Sequence, residues 1–280
     1  MLNPKTNKLI LVELNLPKVK VDGVNLYYEI HGDGFPLLMI LGLSENVYWW
    51  DRPMINDLSS HFKIVIFDNR GVGRSDNLDG DVSIETMAAD TLGLMDALDI
   101  NQAHIFGHSM GGMIAQELSL KFPERVKKLV LCSTSCGGSK SVLPSIETQR
   151  LLGKLSLKEH TRDLTEEAMP HIFTKKFMDE NPKFMEKKID DILIIPIKPT
   201  TFKAQMTAWM RYNSCRKLKE INIPTLIIHG KQDILVPHRN GEILADKIPK
   251  AEIIYFDSNA HLIHTEEPDK FNDVLLKFLK

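Results

Sequence analysis

Cysteine is scarce in this chain of 280 residues, which contains only Cys132, Cys136 and Cys215. Three thiols are an odd set, and their spacing matches no common metal site. Such sparse cysteine is typical of a reducing compartment, where the thiol serves as a small apolar side chain. We therefore expect no disulfide and a cytoplasmic protein.

Long apolar runs and an excess of one charge are also missing. The longest core-like runs, such as residues 36–43 and 192–197, are far shorter than the roughly 18 residues that cross a membrane as a helix. Near the N-terminus, Glu13 interrupts the short run at residues 9–14, which argues against a secretory signal. The 35 Lys and Arg nearly balance the 37 Asp and Glu, so no basic field favours nucleic acid or an anionic membrane as a partner. We expect a soluble protein that acts on a small molecule.

Apolar residues are nonetheless plentiful, at 43% of the chain, which is enough for one large core. Alternating residues at 18–21 and 24–30, joined by an Asp-Gly turn, predict an antiparallel hairpin. Short, continuously apolar runs follow, typical of strands that are buried on both faces of a parallel sheet. These runs are residues 36–41, 63–67, 104–106 and 128–132. Helical patterns from residue 83 and over residues 110–122 lie between them, so we predict parallel crossovers.

The pattern changes after Cys132. From residue 144 to about 218 the sequence shows no two-fold alternation and no β-rich run except residues 192–197, and Leu, Met and Phe are set among Lys and Glu. We predict a helical insertion, whose apolar side chains form either its own packing face or part of an adaptable pocket. Strand and helix patterns then resume. They lie at residues 225–229, 240–247, 253–256 and 268–279.

Gly107, His108, Ser109, Met110 and Gly111 form a G-x-S-x-G motif between a predicted strand and a predicted helix. A sharp turn from strand to helix forces the serine into a strained backbone conformation, and glycine neighbours relieve the crowding. The turn presents the Ser109 hydroxyl near the unpaired N–H groups at the helix start. The alternative, a glycine-rich phosphate loop, lacks an accompanying G-K-[ST] or G-x-G-x-x-G pattern. We therefore interpret Ser109 as a nucleophile.

A serine nucleophile needs a base that a carboxylate orients. Asp233 follows the predicted strand at residues 225–229, and His261 follows the predicted strand at residues 253–256. Parallel strands carry both side chains to the sheet edge that holds Ser109. We assign the base to His261 and the acid to Asp233, in the chain order Ser, Asp, His.

Other assignments of these roles are weaker. His264 lies three residues further on and is the alternative base, Asp257 is the alternative acid, and His108 is interpreted as structural. The two imidazoles of His261 and His264 can also be drawn with Asp257 and Glu266 as a metal cluster. The helical H-E-x-x-H spacing of such a site is absent.

Five segments carry a resemblance that spans nearly the whole chain. They are Leu41-Gly42 with Trp49 and Trp50, residues 68–76, residues 107–112, residues 230–237, and Ala260-His261 with residues 266–271. With them, the chain resembles the α/β-hydrolase fold superfamily, close to its branch of carboxylesterases, enol-lactonases and cofactor-free haloperoxidases. The resemblance implies a mostly parallel eight-stranded sheet flanked by helices, with a core domain at 1–136 and 218–280 and a helical cap at 137–217. Leu41 and Ala260 depart from the His and Gly that relatives commonly have there.

The chemistry predicted from these residues is acyl transfer to water, with an ester or a lactone as substrate. His261 takes the proton of Ser109, the serine attacks the carbonyl, and Asp233 holds the imidazole. The backbone N–H groups of Leu43, which follows the third strand, and of Met110 hold the oxyanion. Water then releases the acyl group, and we expect neither a metal nor an organic cofactor.

Two other functions remain open at this point. Peroxide in place of water would give a peracid, and thus apparent haloperoxidase activity on the same triad. A ligand receptor of the same fold would keep the triad, become labelled once and not turn over.

Overall fold

Eight strands form one sheet at the centre of the protein, in a computed structural model that describes residues 16–77 and 82–280. The strands are β1 (Lys18–Val21), β2 (Val24–His31), β3 (Pro36–Ile40), β4 (Lys63–Phe67), β5 (Ala103–His108), β6 (Val126–Cys132), β7 (Thr225–Gly230) and β8 (Ala251–Phe256). Their order across the sheet is β1-β2-β4-β3-β5-β6-β7-β8. β1 and β2 pair antiparallel, as do β2 and β4, whereas every other neighbouring pair is parallel. The predicted hairpin and mostly parallel sheet are confirmed, while the run at residues 9–14 lies outside the described residues.

Side chains of the central strands pack alternately on the two faces of this sheet. In β3, Leu38 and Ile40 join one core, and Leu37 and Met39 join the other. All of these side chains are fully buried. The strand therefore needs apolar residues at every position, which explains its continuous apolar run.

Helices cover both faces of the sheet. They are α1 (Arg52–Ser59), α2 (Ile84–Ala97), α3 (Met110–Lys121), α4 (Ile146–Leu155), α5 (Arg162–Ala168), α6 (Lys175–Glu180), α7 (Pro182–Leu193), α8 (Pro199–Arg211), α9 (Arg239–Lys247), α10 (Ile263–Glu266) and α11 (Pro268–Leu279). Helices α2, α3 and α9 pack into one core, and α1 and α11 into the other. Helix α2 begins where Ser83 Oγ accepts the N–H of Thr86 at 3.1 Å, as a serine N-cap does.

Helices α4 to α8 lie between β6 and β7, and we call residues 146–211 the helical segment. The predicted helical character of this part of the chain is confirmed. Residues 192–197, an apolar run that looks like a strand in the sequence, instead complete α7 and continue as irregular chain. Lys188 anchors the segment, because its Nζ donates to the Trp49 carbonyl at 2.9 Å and to Asp51 Oδ1 at 3.1 Å. A separate cap with the bounds 137–217 stays a prediction.

The expectation of unpaired cysteines is wrong for two of the three. A disulfide joins Cys136 to Cys215, whose Cα atoms lie 5.0 Å apart, and Cys132 is the free cysteine among the described residues. The reason is topological, since β6 and β7 are neighbours in the sheet. The chain that leaves β6 and the chain that returns to β7 must therefore meet, with one cysteine on each. A cytoplasmic location, which rested on unpaired thiols, stays a prediction.

No helix within residues 16–77 and 82–280 is both long and apolar enough to cross a membrane.

Candidate active site

Ser109 occupies a tight turn between β5 and α3. Its φ of 53° and ψ of −122° are unusual for a residue with a side chain, which marks backbone strain. An added Cβ on Gly107 would lie 2.4 Å from the Gly111 oxygen, and one on Gly111 would lie 2.2 Å from the Ile40 oxygen. Only glycine fits at these two positions, so the motif forms the strained strand-to-helix turn that the sequence predicts.

Asp233 and His261 meet in a hydrogen bond at the neighbouring loops. His261 Nδ1 lies 2.7 Å from Asp233 Oδ2, and Asp233 Oδ1 accepts the N–H groups of Leu235 at 2.9 Å and Val236 at 2.7 Å. Burial raises the pKa of Asp233, but the charge of His261 and the hydrogen bonds from His229 and His261 outweigh it and hold the pKa below its ordinary value. An ionised Asp233 accepts a hydrogen bond from the N–H at Nδ1 of His261. Nε2 of the imidazole is then unprotonated and can accept a proton.

Ser109 and His261 line the same cavity. His261 Nε2 is buried and has no hydrogen-bond partner within residues 16–77 and 82–280, so no hydrogen bond joins it to Ser109 there. A buried nitrogen without a partner is costly, and such an atom commonly marks a functional position. Catalytic hydrogen bonds often tighten only around bound substrate. The structure thus joins two of the three predicted side chains and places the third at the same cavity.

The loop after β3 runs beside Ser109, and we call residues 42–45 the oxyanion turn. In the described part of the chain, the N–H groups of Leu43 and Met110 donate to no acceptor. Both residues line the cavity that contains Ser109. Unpaired N–H groups next to a nucleophile are suited to hold a developing oxyanion, and this role of Leu43 and Met110 stays a prediction.

The cavity has a volume of about 130 Å³ and lies between the carboxyl edge of the sheet and the helical segment. Most of its wall is apolar. The helical segment contributes Leu151, Leu155, Met169, Phe202 and Trp209, together with the irregular chain at residues 195–197. Part of the apolar stripe of the predicted insertion therefore lines a pocket rather than packing only on itself.

Two polar side chains that the sequence reasoning missed hold the oxyanion turn. Glu45 Oε2 accepts the N–H of Gly42 at 2.7 Å. Gln205 Oε1, from α8, accepts the N–H of Ser44 at 2.8 Å. The one available signal for Glu45 is an acidic residue in the loop after a buried apolar strand, whereas Gln205 looks like any polar residue of an amphipathic helix.

Glu266, which the sequence suggests only as a possible metal ligand, instead holds the loop of His261. Its Oε2 accepts the N–H of Ala260 at 2.8 Å, and its Oε1 accepts the N–H of Thr174 at 2.5 Å. The N–H of His261 itself donates to the Ile172 carbonyl at 3.0 Å. Residues of the helical segment therefore contact the histidine loop directly.

The alternative site residues lie elsewhere. His264 is buried between Trp50 and Phe271, with ring centroids 5.1 Å and 5.8 Å away, and it is not part of the cavity wall. Asp257 is exposed and lies 2.7 Å from Lys231 Nζ. Among the described residues, no group of three His, Cys, Asp or Glu side chains could hold a metal ion.

Several known proteins are similar to this chain. The family model described as alpha/beta hydrolase fold matches residues 36–268. A protein of Azorhizobium caulinodans named carbamate hydrolase RutD is 31% identical over 265 residues, which cover 94% of this chain and 98% of the relative. A protein of Pseudomonas putida named 2-hydroxy-6-oxononadienedioate/2-hydroxy-6-oxononatrienedioate hydrolase 1 is 30% identical over 267 residues, or 91% and 92% of the two chains.

A solved structure agrees with these relatives. The enol-lactonase from Burkholderia xenovorans LB400 has a TM-score of 0.84 and 26% identity, over 94% of this chain and 99% of that one. The match of the family model over most of the chain decides the family. The chain is therefore a hydrolase that belongs to the α/β hydrolase fold family.

Proposed function

We propose that the protein is a serine hydrolase, which cleaves carboxylic esters or lactones through an acyl-serine intermediate. The observation that carries this proposal is the 2.7 Å contact between His261 Nδ1 and Asp233 Oδ2, at the wall of the cavity that also contains Ser109. A carboxylate, an imidazole and a hydroxyl around one cavity are the parts that nucleophilic acyl transfer needs.

The proposed reaction has two steps. In the first, His261 Nε2 takes the proton of Ser109 Oγ as this oxygen attacks the substrate carbonyl, and the N–H groups of Leu43 and Met110 donate to the oxyanion. His261 then gives the proton to the leaving alkoxide, and the acyl group remains as an ester of Ser109. In the second, His261 takes a proton from water as the water attacks that ester. His261 then returns the proton to Ser109 Oγ as the bond between this oxygen and the acyl carbon breaks, and the carboxylic acid leaves. Asp233 stays ionised throughout and stabilises the imidazolium.

The size of the cavity indicates the acyl group. An apolar cavity of about 150 Å³ holds benzene, and this one measures about 130 Å³. We therefore propose an apolar acyl group of about four to six carbons or a phenyl ring. In this proposal residues 137–217 act as a cap over a core of residues 1–136 and 218–280.

Steady-state hydrolysis of p-nitrophenyl esters, from acetate to laurate, tests the proposal. We expect sustained turnover that is highest for butyrate or hexanoate. Ser109→Ala should lower kcat by about 10⁴-fold or more, since the nucleophile is lost. Ser119→Ala is the matched control, because Ser119 Oγ only donates to the Ala115 carbonyl within α3. Turnover that survives in Ser109→Ala would refute the nucleophile assignment.

The same assay separates the other functions. A lactone, a carbamate and added peroxide, each offered with wild type and Ser109→Ala, show which bond is cleaved and which nucleophile accepts the acyl group. A receptor would release one equivalent of p-nitrophenol and then stop. Sustained release of p-nitrophenol by wild type would exclude a receptor.

A further inference from the structure

The carboxylate of Glu45 lies in a buried, mostly apolar environment, which disfavours a charged group. The residue is 7% exposed and belongs to the mostly apolar wall of the cavity. A buried charge is tolerated only where a partner and hydrogen bonds compensate for lost water. The partners of Glu45 therefore show what it does.

Those partners lie on both sides of the reaction centre. Glu45 Oε2 accepts the N–H of Gly42 at 2.7 Å and lies 3.2 Å from His108 Nδ1. His108 Nε2 lies 3.2 Å from the carbonyl oxygen of His261, which also accepts the hydroxyl of Ser133 at 2.9 Å. Contacts thus run without a gap from the oxyanion turn to the backbone of the base.

We propose that Glu45 and His108 are positioning residues, which together hold the oxyanion turn and the loop of His261 in register across Ser109. The inference rests on the proposed function, because it assigns the pair to the same acyl transfer. Neither side chain touches the reacting atoms in this account. Both act through the backbone groups that do.

Two acceptors face the ring of His108, so both of its nitrogens must carry protons to satisfy them. Burial lowers the pKa of His108, but the charge and hydrogen bond of Glu45 outweigh it and raise the pKa above its ordinary value. Burial likewise raises the pKa of Glu45, and His108 reverses this, so that the pKa lies below its ordinary value. The result is an ion pair without net charge.

Neutrality matters because Glu45 lies close to the place where the oxyanion develops. A lone carboxylate there would oppose the negative charge of the transition state, whereas a carboxylate paired with His108 does not. The other titratable groups near His108 are His261 and His264, with ring centroids 4.8 Å and 5.3 Å away, and Asp233, whose charge favours protonated His108.

The contact geometry is tight enough for small displacements to affect rate. A Cβ on Gly42 would lie 2.8 Å from Glu45 Oε2 and 2.9 Å from Ser109 Cβ. Gly42 therefore lies closely against both the carboxylate of Glu45 and Ser109, so a shift of the oxyanion turn changes its position relative to the nucleophile. Misplacement by about 1 Å can cost about 100-fold in rate.

Glu45→Gln and His108→Gln, alone and together, test the proposal. Glutamine at position 45 keeps an acceptor for the Gly42 N–H and removes the charge. We expect each single change to lower kcat per active serine by about 10- to 100-fold, with KM within about two-fold, because only transition-state placement is lost. The kcat of the double variant should lie no more than about three-fold below that of the less active single variant, because the two residues act as one unit.

Active serines are counted by stoichiometric labelling with a fluorophosphonate, so misfolded protein does not lower the measured rate. Glu117→Gln is the matched control, because Glu117 is a buried glutamate whose ion pair with Lys121 in α3 lies away from the cavity. It should keep the wild-type kcat and KM. Wild-type kcat in both single variants, a pure rise in KM, or effects that multiply in the double variant would each overturn the positioning role.

A measurement on wild type covers the case in which the variants do not fold. Nitrogen NMR of histidine-labelled protein at neutral pH should show His108 with both nitrogens protonated, and a neutral His108 would refute the pair. Failure of the proposed function looks different. It leaves wild type without Ser109-dependent turnover, whereas failure of this inference leaves that turnover intact and insensitive to Glu45→Gln.

Discussion

Close backbone contacts fix the conformation of single residues in this site. Ser109 is held at a φ of 53° because Gly107 and Gly111 leave room for the turn. Gly42 likewise leaves room for its neighbours, because it lies between Glu45 and Ser109. The rate should therefore respond to a single methyl group at these glycines.

Gly42→Ala tests this sensitivity. The added methyl would lie 2.8 Å from Glu45 Oε2 and 2.9 Å from Ser109 Cβ, so the oxyanion turn must move. We expect kcat for p-nitrophenyl butyrate to fall by about 10- to 100-fold, with a small change in the melting temperature. Gly153→Ala is the control, since a Cβ at Gly153 meets nothing within 4 Å, and it should leave kcat unchanged. Equal activity of the two variants would contradict the tight packing at Gly42.

The ion pair of Glu45 and His108 predicts a pH window for stability. Burial opposes ionisation of both groups, but their mutual attraction moves the pKa of Glu45 below 4.5 and that of His108 above 6.5. The contribution of Glu45 is present above pH 4.5 and is lost as pH falls through its folded pKa. That of His108 is present below pH 6.5 and is lost as pH rises through its folded pKa.

The difference in unfolding free energy between wild type and Glu45→Gln should therefore be largest between about pH 4.5 and 6.5. Urea unfolding across pH 4 to 9 measures it. A difference that does not vary with pH would mean that the two side chains are not an ion pair. Asp233, His261 and His264 also surround His108, and they are the same in both proteins, so their own titration largely cancels.

The sequence predicts a site at Ser109, Asp233 and His261 because each follows a strand that can be recognised from its apolar run. Parallel strands bring such positions together without any knowledge of the loops. Glu45 and Gln205 escape this reasoning, since each side chain accepts a backbone N–H of the turn at residues 42–45. The sequence shows neither the shape of this turn nor that α8 packs against it, so it does not reveal these hydrogen bonds.

The sequence predicts best those helices and strands whose burial pattern stays the same along their whole length. Strands β3 to β7 are buried on both faces and α11 has one apolar face, and both patterns are visible in the sequence. Residues 192–197 are the exception. They are apolar because most of them line the cavity at the end of α7, and a short apolar run does not by itself distinguish a strand from a pocket wall.

The disulfide at the base of the helical segment is a second case that topology decides. Cys136 and Cys215 are separated by 79 residues in sequence. Closing a loop of this length stabilises the folded state by up to about 4–5 kcal/mol in the chain-entropy model. Replacing both by serine should therefore lower the unfolding free energy by an amount up to this size.

Thiol alkylation of the unfolded protein, followed by mass spectrometry, checks the pairing directly. Without reductant we expect one modified cysteine, Cys132, because Cys136 and Cys215 are joined. With reductant all three cysteines should react. Cys132→Ala serves as the control and should give no modification without reductant. Three modified cysteines in unreduced wild type would contradict the disulfide and restore the expectation of unpaired thiols.

The whole molecule encloses its cavity between two differently built halves. The sheet edge supplies the polar side chains of Ser109 and His261, and the helical segment supplies most of the apolar wall. Helix α8 links them, because Gln205 reaches the oxyanion turn. Substrate preference should therefore follow the charge and size of this shared wall rather than the reacting residues alone.

Charge gives the sharpest prediction at this level. Within residues 16–77 and 82–280, the cavity wall contains Glu45 and no Lys or Arg, and Asp233 behind His261 is ionised. A carboxylate on the acyl group would be buried without a cation, which costs several kcal/mol. We expect kcat/KM for p-nitrophenyl butyrate to exceed that for mono-p-nitrophenyl succinate by about 100-fold or more, after correction for their rates with hydroxide.

Leu152→Arg, at the wall on α4, should lower this ratio of the two kcat/KM values, and Leu152→Met should leave it unchanged. Equal rates for the two esters in wild type would contradict this prediction and show that the cavity accepts anions.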